Sequence, residues 1–472
     1  IFNEGNKHLM AEIQYAGEYE LQELKLYSST GNVIDLTTTT IEINLFEDIT
    51  RNSMSGSIIV ADTNNLILNA PIIGQEYVSL KIMTPSLDGE QIDFTENVFC
   101  AYKIGIRSDL SSTAEIFEIH LTTPELQKNI RTRISKSYTG TIDEIVTDVI
   151  RNELFVNSKK PLFIEPTSGI KKIISPNINP YNFIQMLRRQ AISAHNQSPH
   201  FVFFENSKGI HFRSLQSLYE QESVSEYHAG DMGDHTDTQG KTGNIEQDFK
   251  RVLSFTQSKT NDMLVNIKTG LLGSKITVFD IYNKNYNTTT HDYFKNFKDF
   301  GRLGSDPIYN EAPIDVKNNN IGNFPDAKVH LYPTSTTTDY RDAQHYDTET
   351  SSYPYTSNKI QDTLLSRQAK RMELETTINL ALQINGNTTI AAGQVINFSK
   401  PTRGNAHGQG EKDEVYSGNY LITKLRHMFQ QGTKKHEISM IVSKDSIDES
   451  YKDFADGSQP VGKSGVTNKN LY

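Results

Sequence analysis

The sequence has no tryptophan and a single cysteine, Cys100, and each scarcity closes off a class of protein. One cysteine excludes an internal disulfide framework and any zinc site built on cysteine pairs. No apolar run approaches the ~20 residues that a membrane helix needs. The N-terminus (Ile1, Phe2, Asn3, Glu4) lacks the charged-then-apolar order of a signal peptide. It also lacks a starting Met, from which we expect a few residues upstream. Positive charge is in deficit: 47 Lys and Arg against 57 Asp and Glu leave a net charge of −10. A chain that grips nucleic acid usually carries a basic face, and this one is acidic throughout. Hydrophobic residues make up 36%, below the roughly 45–50% usual for globular chains.

What fills the gap is Thr, Ser, Asn and Tyr, the composition of exposed strands and long polar loops. With 22 Tyr and 22 Phe the chain is too aromatic to be disordered. Its 472 residues allow about three domains, each large enough to bury a core unaided. A β-leaning, multidomain protein follows.

Residues 1–122 read as short strands. Ile41, Ile43 and Leu45 alternate with polar neighbours, as do Phe117, Ile119 and Leu121. Gly31-Asn32 and Asp88-Gly89 supply turns. Residues 123–213 form an α+β unit. Thr141 and Glu144 make a capping box ahead of an apolar stripe of Ile142, Ile145, Val146, Val149 and Ile150. Asn179-Pro180 announces a second helix with Phe183, Ile184, Leu187 and Ala191 inward. Phe201–Phe204 and Ile210–Phe212 flank a hairpin turn.

Residues 222–250 read as a polar loop, and Asp262–Ile267 and Lys275–Phe279 as strands. Residues 281–358 are rich in Asn, Thr, Asp and Tyr and poor in branched aliphatics. They are predicted to hold no core alone and to meet partners through their tyrosines. Alternation resumes at Ile378, Leu380, Leu382 and Ile384, followed by Val395–Phe398, Tyr420–His427 and Glu437–Val442. The tail, 446–472, is polar and expected to be mobile.

The second half echoes the first. Gly74-Gln75 before Tyr77–Ile82 resembles Gly393-Gln394 before Val395–Phe398, at an offset of 319 positions. Phe117–Thr122 resembles Ile438–Ser443 at an offset of 321, and Lys103-Ile104 falls on Lys424-Leu425 at that same offset. One β domain used twice is predicted.

Catalytic patterns fail one after another. Gly240-Lys241-Thr242 ends like a phosphate-binding loop, but His235 stands where the first glycine is needed. The run Tyr227–Asp237 carries two His and three Asp at no standard metal spacing; it reads as a mobile acidic loop, with an ion site as the alternative. Gly404, Gly408 and Gly410 sit in a polar hairpin loop. Cys100 lies inside a predicted strand, as a buried thiol does. Neither a Gly-x-Ser-x-Gly elbow nor a His-Glu-x-x-His helix occurs. No catalytic, cofactor-binding or metal-binding residue is assigned, and no enzyme is expected.

The order of segments carries a resemblance. Ser175-Pro176-Asn177-Ile178-Asn179-Pro180 leads into an amphipathic helix, then Phe201–Glu205, then Gly209–Leu215. Later come Ala392-Gly393-Gln394-Val395-Ile396 and Ser417–His427. This pattern resembles the baseplate central hub proteins of contractile-tailed bacteriophages, relatives of the hub part of type VI secretion spike proteins. The resemblance spans roughly 40–445 and is firmest over 175–215 and 390–445.

It implies a mainly β chain with a smaller α+β domain and two tail-tube-like antiparallel β-barrels, one interrupted by a large insertion. The implied domains are 1–122 (first barrel), 123–213 (α+β), 214–260 with 370–445 (second barrel), 261–369 (inserted peripheral domain) and 446–472 (flexible tail). It further implies a structural virion protein of the tail baseplate and a homotrimer in a pseudo-six-fold ring. The spike protein lies below that ring, the tail tube protein above, and other baseplate proteins around it. DNA is only cargo in the channel, and no membrane and no cofactor are implied. No spike repeats follow residue 445, so the spike is expected to be a separate chain. The competing reading is a tail-associated carbohydrate-binding or carbohydrate-degrading protein, which should gather acidic and aromatic groups in one groove.

Overall fold

A computed structural model describes residues 13–63, 72–85, 91–111, 114–229, 245–259, 261–280, 284–311, 314, 317–334, 360–401, 412–413 and 415–448. The first half holds β1 (Glu20–Tyr27), β2 (Val33–Asp35), β3 (Thr40–Asp48), β4 (Ser55–Asp62), β5 (Glu76–Met83), β6 (Ile92–Asp93), β7 (Phe99–Ser111) and β8 (Ala114–Thr122). Period-two patterning builds its core, with Ile43, Leu45, Phe117, Ile119 and Leu121 all buried. Ile41 breaks the pattern and is exposed, because the β3–β4 register slips by one residue between Thr40 and Glu42. A bulge of this kind turns one side chain to the other face.

The α+β unit contains α1 (Pro124–Arg131), β9 (Ser137–Gly140), α2 (Ile142–Arg151), β10 (Leu162–Ile164), β11 (Lys171–Ile174), α3 (Pro180–Arg188), β12 (Phe201–Asn206), β13 (Gly209–Ser214) and α4 (Leu215–Tyr219). The Thr141–Glu144 capping box is present at α2, and Pro180 opens α3. The apolar stripes of both helices close over the β12–β13 hairpin in one core.

The second half consists of β14 (Ser223–His228), α5 (Ile245–Lys250), β15 (Val252–Lys259), α6 (Met263–Thr269), β16 (Gly273–Asp280), β17 (Asn285–Asp292), β18 (Val329–Thr334), α7 (Ile360–Thr376), β19 (Ile378–Asn385), β20 (Val395–Ser399), β21 (Gly418–Gln430) and β22 (Lys435–Lys444). Two expectations are corrected here. Asp262–Ile267 is not a strand: the Asp262 side chain accepts from the Val265 N–H and caps α6, while Gly270 closes it in the left-handed region. Residues 222–250 are not all loop, since β14 and α5 lie within them.

The halves share a 14-stranded sheet whose main path runs β15-β19-β22-β21-β3-β4-β8-β7-β5-β1-β2, with β20 on β21, β14 on β20 and β6 on β5. The chain is thus mainly β and largely antiparallel. The two ends of the path do not pair, so no closed barrel forms among the described residues. Each half keeps its own core, one around Leu45, Ile58 and Phe117, the other around Leu382, Ile396 and Met440. No described helix is long and apolar enough to cross a membrane.

Candidate assembly surface

The first half pairs its strands in the order β3-β4-β8-β7-β5-β1, and the second in the order β15-β19-β22-β21-β20-β14. Taken in chain order, the strands correspond one to one. The correspondence extends to single pairs. Cys100 faces Thr122 and Ile104 faces Ile119; Leu421 faces Ser443 and Leu425 faces Met440. The bulge after Ala101 recurs after Ile422, and the bulge after Thr40 recurs after Val252. Gly74 and Gly393, ahead of β5 and β20, both sit at positive φ (95° and 88°), a conformation that favours glycine. The repeat is not exact: β7 carries two further bulges, after Ile104 and after Asp109, that β21 lacks. β1 runs antiparallel to β5 whereas β14 runs parallel to β20. Residues 49–54 connect β3 to β4, whereas residues 260–377 lie between β15 and β19.

The halves meet where β21 pairs with β3, from Lys424 opposite Asp48 to Gln430 opposite Glu42. On the inner side Phe429, a second-half residue, is fully buried in the first-half core. The His436 ring stacks on Phe429 at 4.0 Å between centroids. His427 and His436 share one hydrogen bond of 3.0 Å, in which one ring nitrogen donates and the other accepts. Burial holds both rings neutral, pushing His427 down to about 3 and His436 well below its usual value. Any side chain on Gly386 would run into the His436 ring.

Glu47, buried beside this seam, accepts the Ser207 and Ala392 N–H groups at 2.7 Å each. It thereby joins β3 to the α+β unit and to the second half. Burial pushes its carboxyl up, although both hydrogen bonds oppose that.

Buried charge fastens the two β3–β4-type connections. In the first half, Glu205 accepts from the Met54 N–H at 3.2 Å, and Lys160 bridges Glu205 (2.5 Å) and Glu125 (2.8 Å). Burial works against the Lys160 charge, yet the two carboxylates hold its pKa above the ordinary lysine value. In the second half, Asp445 accepts from the Leu303 N–H at 3.1 Å and meets Lys370 (3.2 Å) and Arg302 (3.5 Å). Those two cations hold the Asp445 carboxyl below its usual range against the cost of burial.

The face opposite the cores carries several ion pairs beside exposed rings such as Phe46 and Tyr77. Arg426 meets Glu42 at 3.3 Å and Lys424 meets Asp48 at 3.6 Å across the seam. Lys435 pairs with Glu437 at 2.5 Å, Lys81 with Asp93 at 3.4 Å, and Lys25 with Glu23 at 3.0 Å. A groove of about 740 Å³ runs over the seam, with Phe46, Glu47, Asp48 and Arg51 on one side and Gln383, Lys424, Arg426 and Ile441 on the other.

Cys100 is buried, and burial raises its thiol pKa, so it is no poised nucleophile. Gly240-Lys241-Thr242, Gly404, Gly408, Gly410 and most of the His/Asp run lie outside the described residues; of that run, Tyr227 is buried in β14. No cluster of metal-ligating side chains occurs among the described residues. Of the tyrosines expected to face partners, Tyr286 and Tyr332 are exposed, while Tyr282, Tyr340 and Tyr355 lie outside the described residues. Tyr309 is corrected: it is buried with Tyr293, Phe297 and Leu271 in a small aromatic core shared with Ala369 of α7. Sequence reasoning missed the two buried ion clusters, whose members are scattered between positions 125 and 445.

No protein-family profile matches the chain, and no curated protein does. Several solved structures do. One is the tail protein from Neisseria meningitidis, at 9% identity and TM-score 0.49 over 91% of this chain and 97% of that one. Another is the 43 kDa tail protein of prophage MuSo2 from Shewanella oneidensis, at 9% identity and TM-score 0.48 over 90% and 99%. A third is an E. coli type VI secretion component described as similar to T4 bacteriophage tail proteins, at 9% identity and TM-score 0.40 over 90% and 76%.

Proposed function

We propose that the chain is a structural virion protein, the central hub of a contractile tail baseplate. Three chains form a pseudo-six-fold ring that joins a trimeric spike to a hexameric tail tube. One observation carries this reading: a single chain contains the same six-strand pairing order twice, down to shared bulges, with the two copies joined edge to edge. Two units per chain and three chains supply six similar positions to the tube and three to the spike. Each six-strand unit is read as one tube-like barrel wall. The long β15–β19 connection is read as an insertion into the second unit, placed at the periphery against other baseplate proteins.

The face of the sheet opposite the cores is assigned to the channel. Lys25, Lys81, Lys424, Arg426 and Lys435 are each matched by a carboxylate, and the chain as a whole is acidic. Such a wall gives passing DNA no uncompensated cationic track to adhere to. No catalytic role is included. Glu47 and Asp48, the acids nearest the groove, are engaged by backbone N–H groups and by Lys424.

Sedimentation of the full chain, alone and mixed with a separately made trimeric spike chain of the same particle, tests the proposal. The expected species alone has three times the chain mass of 53.3 kDa, and it binds one spike trimer. A chain that stays monomeric at every concentration, or a trimer that ignores the spike, would overturn it.

A further inference from the structure

Within the chain, β21 uses one edge in two stretches: Gly418–Leu421 pairs with β20, and Lys424–Gln430 pairs with β3. Its counterpart β7 uses only the first of these. Phe99–Ala101 pairs with β5, and beyond that point no strand lies along the same edge among the described residues. The free stretch is oddly apolar for an exposed strand, with Tyr102 54%, Ile106 77% and Leu110 61% exposed. The counterpart of β3 is β15, which ends the sheet path and, among the described residues, pairs only with β19. Its residues are exposed from Leu253 to Lys259, with Leu253 at 40% and Phe255 at 43%. One half therefore lacks on its edge what the other half lacks on its own.

We propose that β15 of one chain pairs antiparallel with the free stretch of β7 from a second copy, repeating between chains the β21–β3 pairing found within each. An unpaired edge strand with apolar side chains is a standing template for strand addition. The internal seam shows the geometry, which β7 can repeat on either side of the bulge after Ile104. The interface is heterologous, and its closure after three copies rests on the ring reading above.

The register carries over from the internal pairs. Met428 faces Asn44 across the seam. By their own cross-strand partners, Met428 corresponds to Ser108 and Asn44 to Thr256. Ser108 of one chain therefore lies opposite Thr256 of the next. The outer seam has no match for the Arg426–Glu42 pair: the bulge residues Gly105 and Ile106 stand in the place of Arg426, and Ser254 stands in the place of Glu42. It is held by backbone hydrogen bonds and by Ile106, Leu110, Leu253 and Phe255.

The test uses the full chain carrying S108C and T256C together, oxidised and run under denaturing, non-reducing conditions. Residues directly opposite on antiparallel strands come close enough for a disulfide. A covalent ladder that stops at three chains is expected, and S108C paired with T290C on β17 should give none. In parallel, I106D and F255D should each shift the native mass from trimer to monomer with unchanged circular dichroism. A trimer that neither cross-links at 108–256 nor dissociates in either variant would overturn the pairing and leave the ring reading standing. A chain that is monomeric at all concentrations would overturn both.

Discussion

Strands β3 and β15 hold the same place in the two halves, and they differ in what lies along their outer edges. On β3, Ile43 is 1% exposed because β21 covers it; its counterpart on β15, Phe255, is 43% exposed. The strand environment is the same on the inner edge, down to the bulge one turn of the pleat earlier. The contrast teaches that the pairing across the seam, rather than the strand itself, completes each half. Phe429 makes the same point from the other side, since a second-half residue finishes the first-half core.

The sharpest way to break this comparison is to delete the same ring at both seams. Phe429→Ala should cost about 3–5 kcal/mol in denaturant unfolding, as for other buried aromatics. Phe255→Ala, half-exposed, should cost well under ~1 kcal/mol in dilute, monomeric protein. Similar losses at both positions would mean that the halves do not depend on the seam.

A somewhat smaller effect is expected at the buried ion clusters that fasten the two connections. Lys160→Met leaves Glu125 and Glu205 buried without a cation and should destabilise by about 3 kcal/mol. Lys370→Met, where Arg302 still faces Asp445 and Glu373, should cost less. Thermal melts of the two variants compare the halves directly, and the reverse ranking would contradict the roles assigned to these lysines.

Acid should act on the seam through its histidines. His427 has its folded pKa lowered to about 3 by burial, against about 6.5 in an unfolded chain. Between those values the unfolded state takes up a proton that the folded state refuses. Stability should therefore be full above pH 6.5 and fall as the pH drops toward 3, by about 1.4 kcal/mol per unit for each such ring. His436, pushed down in the same way, adds to the loss. Denaturant midpoints at pH 7 and pH 5 measure it, and a midpoint that rises on acidification would show that these rings are not neutral in the folded chain.

The smallest effect belongs to the face opposite the cores. Arg426→Ala removes a pair whose guanidinium is 41% exposed and should change stability by under ~1 kcal/mol, and less still in high salt. A large loss would mean that the seam is ionic rather than apolar.

The architecture was legible wherever a local rule carried it. The capping box before α2, the Asn179-Pro180 start of α3 and the 201–214 hairpin each declare themselves within a few residues. The repeat was legible because alternation survives at a nearly constant offset, and the offset of 321 is the one joining Cys100–Thr122 to Leu421–Ser443. What stayed hidden depends on distant partners. β14 has one buried side chain, Tyr227, and exists because β20 lies beside it. In α6 a run of apolar residues fits strand or helix alike, and the Asp262 cap decides it. The seam itself joins positions about 380 apart, through side chains that read in sequence as ordinary core.

Electron-microscopy averages of the purified full chain test the central claim most directly, because they show whether the two halves act as equivalent units. A ring of six similar lobes around an open channel is expected, in which lobes from first and second halves alternate. A three-lobed particle in which only one half of each chain borders the centre would contradict it.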